Sequence, residues 1–213
     1  MDKKLEKILE DFLRWFIEKT KDKPDLSTVY ELVRSGVTAD ELEKLYNVRE
    51  VAAILCKLPS GEYRKMLIEG RLNEVDTNPL YESCRKLLGE VIAEVHLHVT
   101  NPAVPSEADL AVLESRLKKG EGPRAFCICS KGIAETICIC LKDLSLEDLS
   151  KIPCGEDYLE EYEGKFEEGI DYIVIDDVQI WSEDAAGRLE EMFLNDVKDL
   201  VEKGKVQEYS FRS

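Results

Sequence analysis

The spacing of apolar residues restricts the fold of this chain more than any other feature, and it changes along the sequence. In the N-terminal part, apolar residues recur every three or four positions, as on the buried face of an amphipathic helix. Thr38 and Glu41 stand at capping-box spacing, which marks a helix start. The period predicts helices over residues 3–20, 26–34, 38–46, 48–58 and 62–71.

The pattern continues as helix beyond residue 76 and then becomes strand-like. A helical period covers residues 80–95, with an extended stretch towards residue 100, and another helix is predicted over residues 107–119. Ser182 and the acidic residues after it predict the start of a further helix near residue 182. The acidic and aromatic segment 155–169 is expected at the surface. Apolar runs rich in Ile, Val and Cys predict strands over residues 124–130, 137–142, 170–175 and 206–211.

These elements predict an α+β protein. We expect a helical N-terminal bundle resembling a helix-turn-helix domain over residues 1–75. An acidic α+β domain follows over residues 76–213, with a small mixed sheet of three or four strands and flanking helices. The sequence Asp76-Thr77-Asn78-Pro79 marks the expected boundary.

Composition excludes several classes of protein. Hydrophobic residues make up 44% and charged residues 35%, which rules out collagen-like and wholly disordered chains. The longest apolar run, residues 51–56, is too short to cross a bilayer. The first residues contain no apolar signal-peptide region, so we expect a cytoplasmic protein without a membrane partner. Only two Gln residues occur among many Glu and Lys residues, a bias typical of thermophile proteins.

Negative charge is concentrated in the last third of the chain. The net charge is −16, of which residues 143–213 carry −14 and residues 1–72 carry none. Such a field repels phosphate backbones and favours a basic protein partner, whereas the simpler interpretation is a well-solvated acidic surface. A protein-binding face or homo-oligomer contact in this part is therefore one prediction.

Residues 29–58 have the layout of a helix-turn-helix motif. In this interpretation residues 49–58 form the recognition helix in the major groove of DNA. Arg49, Glu50 and Lys57 are then the residues that meet bases and phosphates. The neutral charge of this region fits an ordinary helical bundle equally well.

Four cysteines occur in two Cys-Ile-Cys groups on the predicted strands. Residues two apart on a strand share a face, so pairing Cys127 with Cys140 and Cys129 with Cys138 places all four sulfurs together. Three alternatives stay open: a structural metal site, cross-strand disulfides, or small buried side chains. A structural metal is the one cofactor that this pattern indicates.

The two histidines and a pair of aspartates offer a second chemical grouping. His96 and His98 stand two apart, so on an extended segment both imidazoles face the same way. Asp176 and Asp177 follow an apolar strand and are candidate hard ligands beside them. No complete catalytic motif is present.

The sequence therefore predicts a regulatory or interaction protein with no catalytic residues assigned. Its helical N-terminal domain would bind DNA or another protein, and its acidic C-terminal domain would mediate oligomerisation or protein binding. The alternative is a metal-dependent hydrolase or nuclease that uses His96, His98, Asp176 and Asp177.

Overall fold

The computed structural model describes residues 1–162 and 172–213, and it contains nine helices and eight strands within them. The helices are α1 (Lys3–Lys19), α2 (Leu26–Arg34), α3 (Ala39–Leu45), α4 (Asn78–Lys86), α5 (Glu107–Lys118), α6 (Leu146–Leu149), α7 (Gly155–Tyr162), α8 (Glu183–Asp196) and α9 (Lys198–Glu202). The strands are β1 (Val51–Lys57), β2 (Tyr63–Glu69), β3 (Glu90–His98), β4 (Ala125–Lys131), β5 (Glu135–Lys142), β6 (Tyr172–Ile175), β7 (Val178–Trp181) and β8 (Val206–Arg212).

A six-stranded mixed sheet in the order β2-β1-β3-β4-β5-β8 forms the centre of the molecule. Only β3 and β4 pair in parallel, and the helix between them, α5, is the crossover that such a pair requires. All other neighbours in this sheet are antiparallel. Strands β6 and β7 form a separate two-stranded sheet.

Helices cover both faces of the large sheet. The apolar faces of α1, α2 and α3 pack on one side, where Phe12, Phe16 and Leu42 are almost fully buried. Helices α5, α8 and α9 pack on the other side, with Leu189 and Phe193 among their buried residues. Because successive residues of a strand point to opposite faces, β4 and β5 contribute to both cores, whereas β1 and β3 contribute to the first core and to a smaller cluster with α4.

The predicted fold class is wrong in its main element, because the sheet has six strands rather than three or four and reaches into the first third of the chain. Residues predicted as a recognition helix and a fifth helix are β1 and β2, so the helix-turn-helix interpretation fails as well. Residues 51–56 are buried on both faces of the sheet. A strand of this kind is apolar throughout and cannot be told from a buried helix by periodicity.

The predicted helix over residues 80–95 is also wrong in its second half. Helix α4 ends at Lys86, and β3 begins at Glu90. Leu88 turns the chain with a φ of 57°, a left-handed conformation that ends the helix. Gly89 follows, and a side chain there would overlap the sulfur atoms of Cys56 and Cys84.

Several elements agree with the prediction. Helices α1, α2 and α3 are confirmed, and Thr38 and Glu41 form both hydrogen bonds of the predicted capping box. The hairpin of β4 and β5 and the helix start at Ser182 are confirmed too. Residues 163–169 of the expected surface segment, and residues 170 and 171 of the strand predicted over 170–175, lie outside the described residues.

The boundary expected at residue 75 falls between β2 and α4, and strands from either side of it pair in one sheet, since β1 lies beside β3. No helix in the described part of the chain is long and apolar enough to cross a membrane.

Candidate active site

A cluster of buried ionisable side chains lies where β3 ends and α5 begins. Glu94, His96 and His98 alternate along β3 and therefore point to the same face of the sheet. The loop after β3 returns the chain to Ser106, which caps α5 through a capping box with Asp109. This cap fixes Asp109 in the first turn of α5, opposite both imidazoles.

Asp109 binds the two histidines at the same time. Its Oδ1 lies 3.4 Å from Nδ1 of His96, and its Oδ2 lies 3.2 Å from Nε2 of His98. Each imidazole therefore directs one ring nitrogen at the same carboxylate.

The other ring nitrogen of each histidine is held by a second partner. Nε2 of His96 lies 2.7 Å from Oε1 of Glu94, and Nδ1 of His98 lies 2.9 Å from the carbonyl oxygen of Pro102. Metal-binding histidines usually have this arrangement, with one nitrogen towards the ion and the other on a carboxylate or backbone carbonyl.

Glu50 completes the cluster from the residue before β1. Its side chain is buried; its backbone carbonyl accepts from the N–H of Gly70, whereas its carboxylate has no hydrogen-bond donor within residues 1–162 and 172–213. Burial raises the pKa of Glu50 to about 7, although His98 opposes this rise. A carboxyl group with such a pKa is suited to take and return a proton near neutral pH.

The electrostatics of the cluster follow from burial and from the close pairs. Burial disfavours the charged imidazoles, but the hydrogen bonds to Asp109 prevail and raise the pKa of His96 to about 10 and that of His98 to about 9. Burial alone would raise the pKa of Asp109, yet its bonds with both histidines hold that pKa well below the usual range.

A cavity of about 150 Å³ opens onto this cluster. Glu50, His96, His98 and Asp109 all line it. Its other walls come from the segment before α4 and from α5, with Thr77, Asn78, Ser106 and Arg116 among the lining residues. The cavity has room for several water molecules beside the cluster.

Helix α4 supports the cluster from behind. Tyr81 Oη donates a 2.5 Å hydrogen bond to Oε2 of Glu94, the residue whose other oxygen binds His96. The guanidinium of Arg116 lies over the ring of Tyr81, 3.4 Å from its centroid, and donates to Thr77 and Asn78 at the start of α4.

No three His, Cys, Asp or Glu side chains of residues 1–162 and 172–213 are arranged to hold a metal ion as they stand. In the cluster, His96, His98 and Asp109 bind one another directly instead. Their N···O distances of 3.4 and 3.2 Å are those of close imidazole–carboxylate ion pairs. Two imidazoles and one carboxylate are a donor set of the kind that binds zinc, but an ion would have to displace both these hydrogen bonds and the protons that the raised pKa values keep on His96 and His98.

The other predicted site residues lie elsewhere. Asp176 and Asp177 are exposed in the two-residue turn between β6 and β7, both with positive φ. The polar partners of both histidines are Glu94, Asp109 and Pro102 rather than these aspartates.

The cysteines of the β4–β5 hairpin form two disulfides, Cys127–Cys140 and Cys129–Cys138. They follow the register considered from the sequence, and all four side chains are buried. A third disulfide joins Cys56 to Cys84. Among the described residues, Cys154 is the free cysteine.

The structure places the three residues proposed for DNA contact in different surroundings. The guanidinium of Arg49 donates hydrogen bonds to the carbonyl oxygens of Glu43 and Gly70. Lys57 is exposed at the end of β1. Glu50 instead faces the histidine cavity. DNA contact stays a prediction.

Sequence reasoning missed Asp109, Glu94 and the role of Glu50. The available signal was the capping box, because Ser106 and Asp109 start a helix directly after the loop that follows His98. No family model and no curated protein matches this sequence.

Proposed function

We propose that this protein is a metal-dependent hydrolase whose ligands are His96, His98 and Asp109. The observation that carries the proposal is the convergence of both imidazoles on one buried carboxylate in an open cavity, with a second partner behind each ring. The proposal keeps the histidines of the sequence-based alternative and takes Asp109 and Glu50 in place of Asp176 and Asp177.

Each group then has a distinct task. A divalent ion such as Zn²⁺, when bound, supplies a water of lowered pKa and polarises the substrate carbonyl. Glu50 accepts the proton of the attacking water, because its carboxylate lines the cavity and accepts no hydrogen bond from the described residues. Glu94 and the carbonyl of Pro102 orient the two imidazoles.

The donor set favours acyl substrates, meaning amides or esters, over phosphodiesters. Two imidazoles and one carboxylate provide a site for one ion, the arrangement of several zinc peptidases. Phosphodiester hydrolysis more often uses two ions held by several carboxylates.

The proposal is tested with metal binding and hydrolysis measured side by side. Zn²⁺ is titrated into chelator-treated protein by calorimetry, and the loaded protein is assayed on fluorogenic peptides, p-nitrophenyl acetate and bis-p-nitrophenyl phosphate. We expect one Zn²⁺ per chain and turnover of an acyl substrate. Glu50→Gln should retain Zn²⁺ and lose at least 100-fold in kcat, whereas His98→Gln should lose Zn²⁺ affinity at least tenfold.

The matched control is the double variant Asp176→Asn/Asp177→Asn, which preserves side-chain shape in an exposed turn that tolerates positive φ. It should bind Zn²⁺ and turn over substrate like the parent chain. Loss of Zn²⁺ in this variant but not in His98→Gln would overturn the ligand assignment, and absence of Zn²⁺ binding in the parent chain would overturn the function.

The interaction role predicted from the charge partition remains a prediction. A pull-down at physiological salt with basic proteins as bait tests it independently of the cavity, because 21 of the acidic residues lie in residues 143–213.

A further inference from the structure

The mouth of the cavity at the candidate active site carries negative charge. The segment before α4 forms one wall, and Glu74 and Asp76 are the exposed charged side chains among the lining residues. Neither carboxylate has an ion-pair partner within residues 1–162 and 172–213. One oxygen of Asp76 accepts the backbone N–H of Asn78. Both carboxylates therefore face solvent without a cation of their own.

The positive charges that line the same cavity are bound in its interior. The buried guanidinium of Arg116 lies over the ring of Tyr81 and donates to Thr77 and Asn78. Both histidines direct a ring nitrogen at Asp109. These groups satisfy one another, so they leave the carboxylates at the mouth free for an external cation.

A third carboxylate lines the cavity from its inner end. Glu50 is 5% exposed, and its carboxylate has no hydrogen-bond donor within the described ranges. Burial is the main cause of the raised pKa of Glu50, and the negative charge of Glu74 adds to it. The two carboxylates therefore repel each other, and a positive charge bound beside Glu74 would relieve this repulsion.

Apolar surface lies beside the carboxylates at the mouth. Val75 on one wall is half-buried, and Val112 of α5 on the other is 43% exposed. Lysine and arginine side chains pack their methylene stems on apolar surface and keep the charged end beside polar groups. A metal ion or a simple ammonium ion has no stem to bury. The combination therefore fits a basic side chain of a polypeptide.

We propose that Glu74 and Asp76 select amide substrates that carry a lysine or arginine side chain close to the scissile bond. This substrate class rests on the proposed hydrolase function, because it uses the same cavity. The stem of the basic side chain packs between Val75 and Val112, and its charged end pairs with the two carboxylates. The neighbouring amide then lies at the histidines.

The first experiment isolates the effect of the positive charge on hydrolysis. Internally quenched neutral peptides with capped ends carry a single lysine, which is moved through successive positions. Matching peptides carry norleucine, which has the stem without the charge, or glutamate. For at least one position we expect the lysine peptide to have a kcat/KM about fivefold above the norleucine peptide, and the glutamate peptide to be the poorest. The preference should shrink between about 0.05 M and 0.5 M NaCl, because salt screens exposed charges.

The second experiment reverses the charge at the mouth. Glu74→Lys should change the preference from lysine to glutamate peptides, and Asp76→Asn should weaken it while keeping an oxygen for the N–H of Asn78. The matched control is Glu82→Lys, which makes the same change in net charge at an exposed position of α4 outside the cavity lining. It should keep the preference of the parent chain.

The third experiment observes binding without metal or turnover. Capped Ala-Lys-Ala and its norleucine analogue are titrated into ¹⁵N-labelled, chelator-treated protein and followed by NMR. We expect the lysine peptide to shift the backbone signals of residues 73–78 in the parent chain but not in Glu74→Lys, and the norleucine peptide to leave them unchanged. An uncapped norleucine peptide tests whether a terminal amino group can supply the cation.

The outcomes separate the two proposals. Equal hydrolysis of lysine and norleucine peptides at every position, or an unchanged preference in Glu74→Lys, would overturn the selection and leave the hydrolase function standing. Equal shifts with the uncapped norleucine peptide would also overturn it, because the recognised cation would be a terminal amino group. If the parent chain hydrolyses no acyl substrate, the hydrolase function fails, while the lysine-dependent shifts of residues 73–78 still decide whether this wall binds basic side chains.

Discussion

At the scale of single residues, the molecule concentrates buried carboxylates on one face of its sheet. Glu94 and Asp109 have cationic or hydroxyl partners within hydrogen-bond distance, which offset the cost of burial. Glu190 of α8 differs, because its donors within the described part of the chain are neutral, namely the backbone N–H of Ala103 and the hydroxyl of Ser130. Burial raises the pKa of Glu190 to about 7, with Glu208 and Glu135 adding to the rise.

This raised pKa predicts a pH-dependent stability. Between the ordinary pKa of a glutamate and pH 7 the folded state retains a proton that the unfolded state has released. The free energy of unfolding therefore falls as the pH rises through this window, and the penalty is complete above pH 7. Glu190→Gln removes the penalty, so we expect its stability relative to the parent chain to increase by about 2–3 kcal/mol between pH 5 and pH 8.

Urea unfolding at both pH values measures this difference. The matched control is Glu191→Gln, on the exposed side of the same helix, for which we expect the same small effect at pH 5 and at pH 8. An effect of Glu190→Gln that does not vary with pH would show that the buried carboxyl ionises as it does in water.

At the scale of elements, the disulfides join elements of different kinds. The hairpin pairs bridge strands whose backbones are already joined, whereas the Cys56–Cys84 bond fastens α4 to β1. The bonded cysteines are separated by 28 positions in the sequence for this bond, against 13 and 9 for the hairpin bonds. A longer closed loop restricts the unfolded chain more strongly.

We therefore expect the Cys56→Ala/Cys84→Ala variant to lose about 3–4 kcal/mol of unfolding free energy, and Cys129→Ala/Cys138→Ala about 2–3 kcal/mol. Chemical unfolding of both variants beside the parent chain measures this. A smaller loss for the first variant than for the second would contradict the expected dependence on loop length.

At the scale of the whole molecule, the charge is strongly unbalanced. The net charge is −16, and the excess negative side chains repel one another more strongly in the compact folded state than in the expanded unfolded chain. The described ion pairs are mostly exposed, such as Lys21–Glu18 and Lys44–Asp40, and contribute little each. Repulsion is therefore the larger long-range term at low ionic strength.

Salt should consequently stabilise the protein. We expect the Tm to rise between about 0.01 M and 0.5 M NaCl, because the screening length falls from about 30 Å to less than 10 Å. Differential scanning calorimetry measures the shift, and potassium fluoride in place of NaCl tests that it does not depend on the ion chosen. A falling Tm would mean that the exposed ion pairs outweigh the repulsion.

Local patterns predicted the helices and the hairpin well and the centre of the sheet poorly. The apolar periods of α1 and α2 and the capping box of α3 depend on neighbours within a few residues, so the sequence is sufficient for them. Residues 51–56 carry no such period, because both of their faces are covered, by α1–α3 on one side and α4 on the other. From the local sequence alone, these residues are as compatible with a buried helix as with a buried strand.

The candidate site divides in the same way. The sequence by itself determined that His96 and His98 share a face, because that follows from two-residue spacing on an extended strand. Only the tertiary structure decided that Asp109 and Glu50 are the carboxylates beside them rather than Asp176 and Asp177. The reason is that Glu50, β3 and α5 meet through strand pairing and a crossover helix, and such contacts between distant residues leave no periodic trace in the sequence.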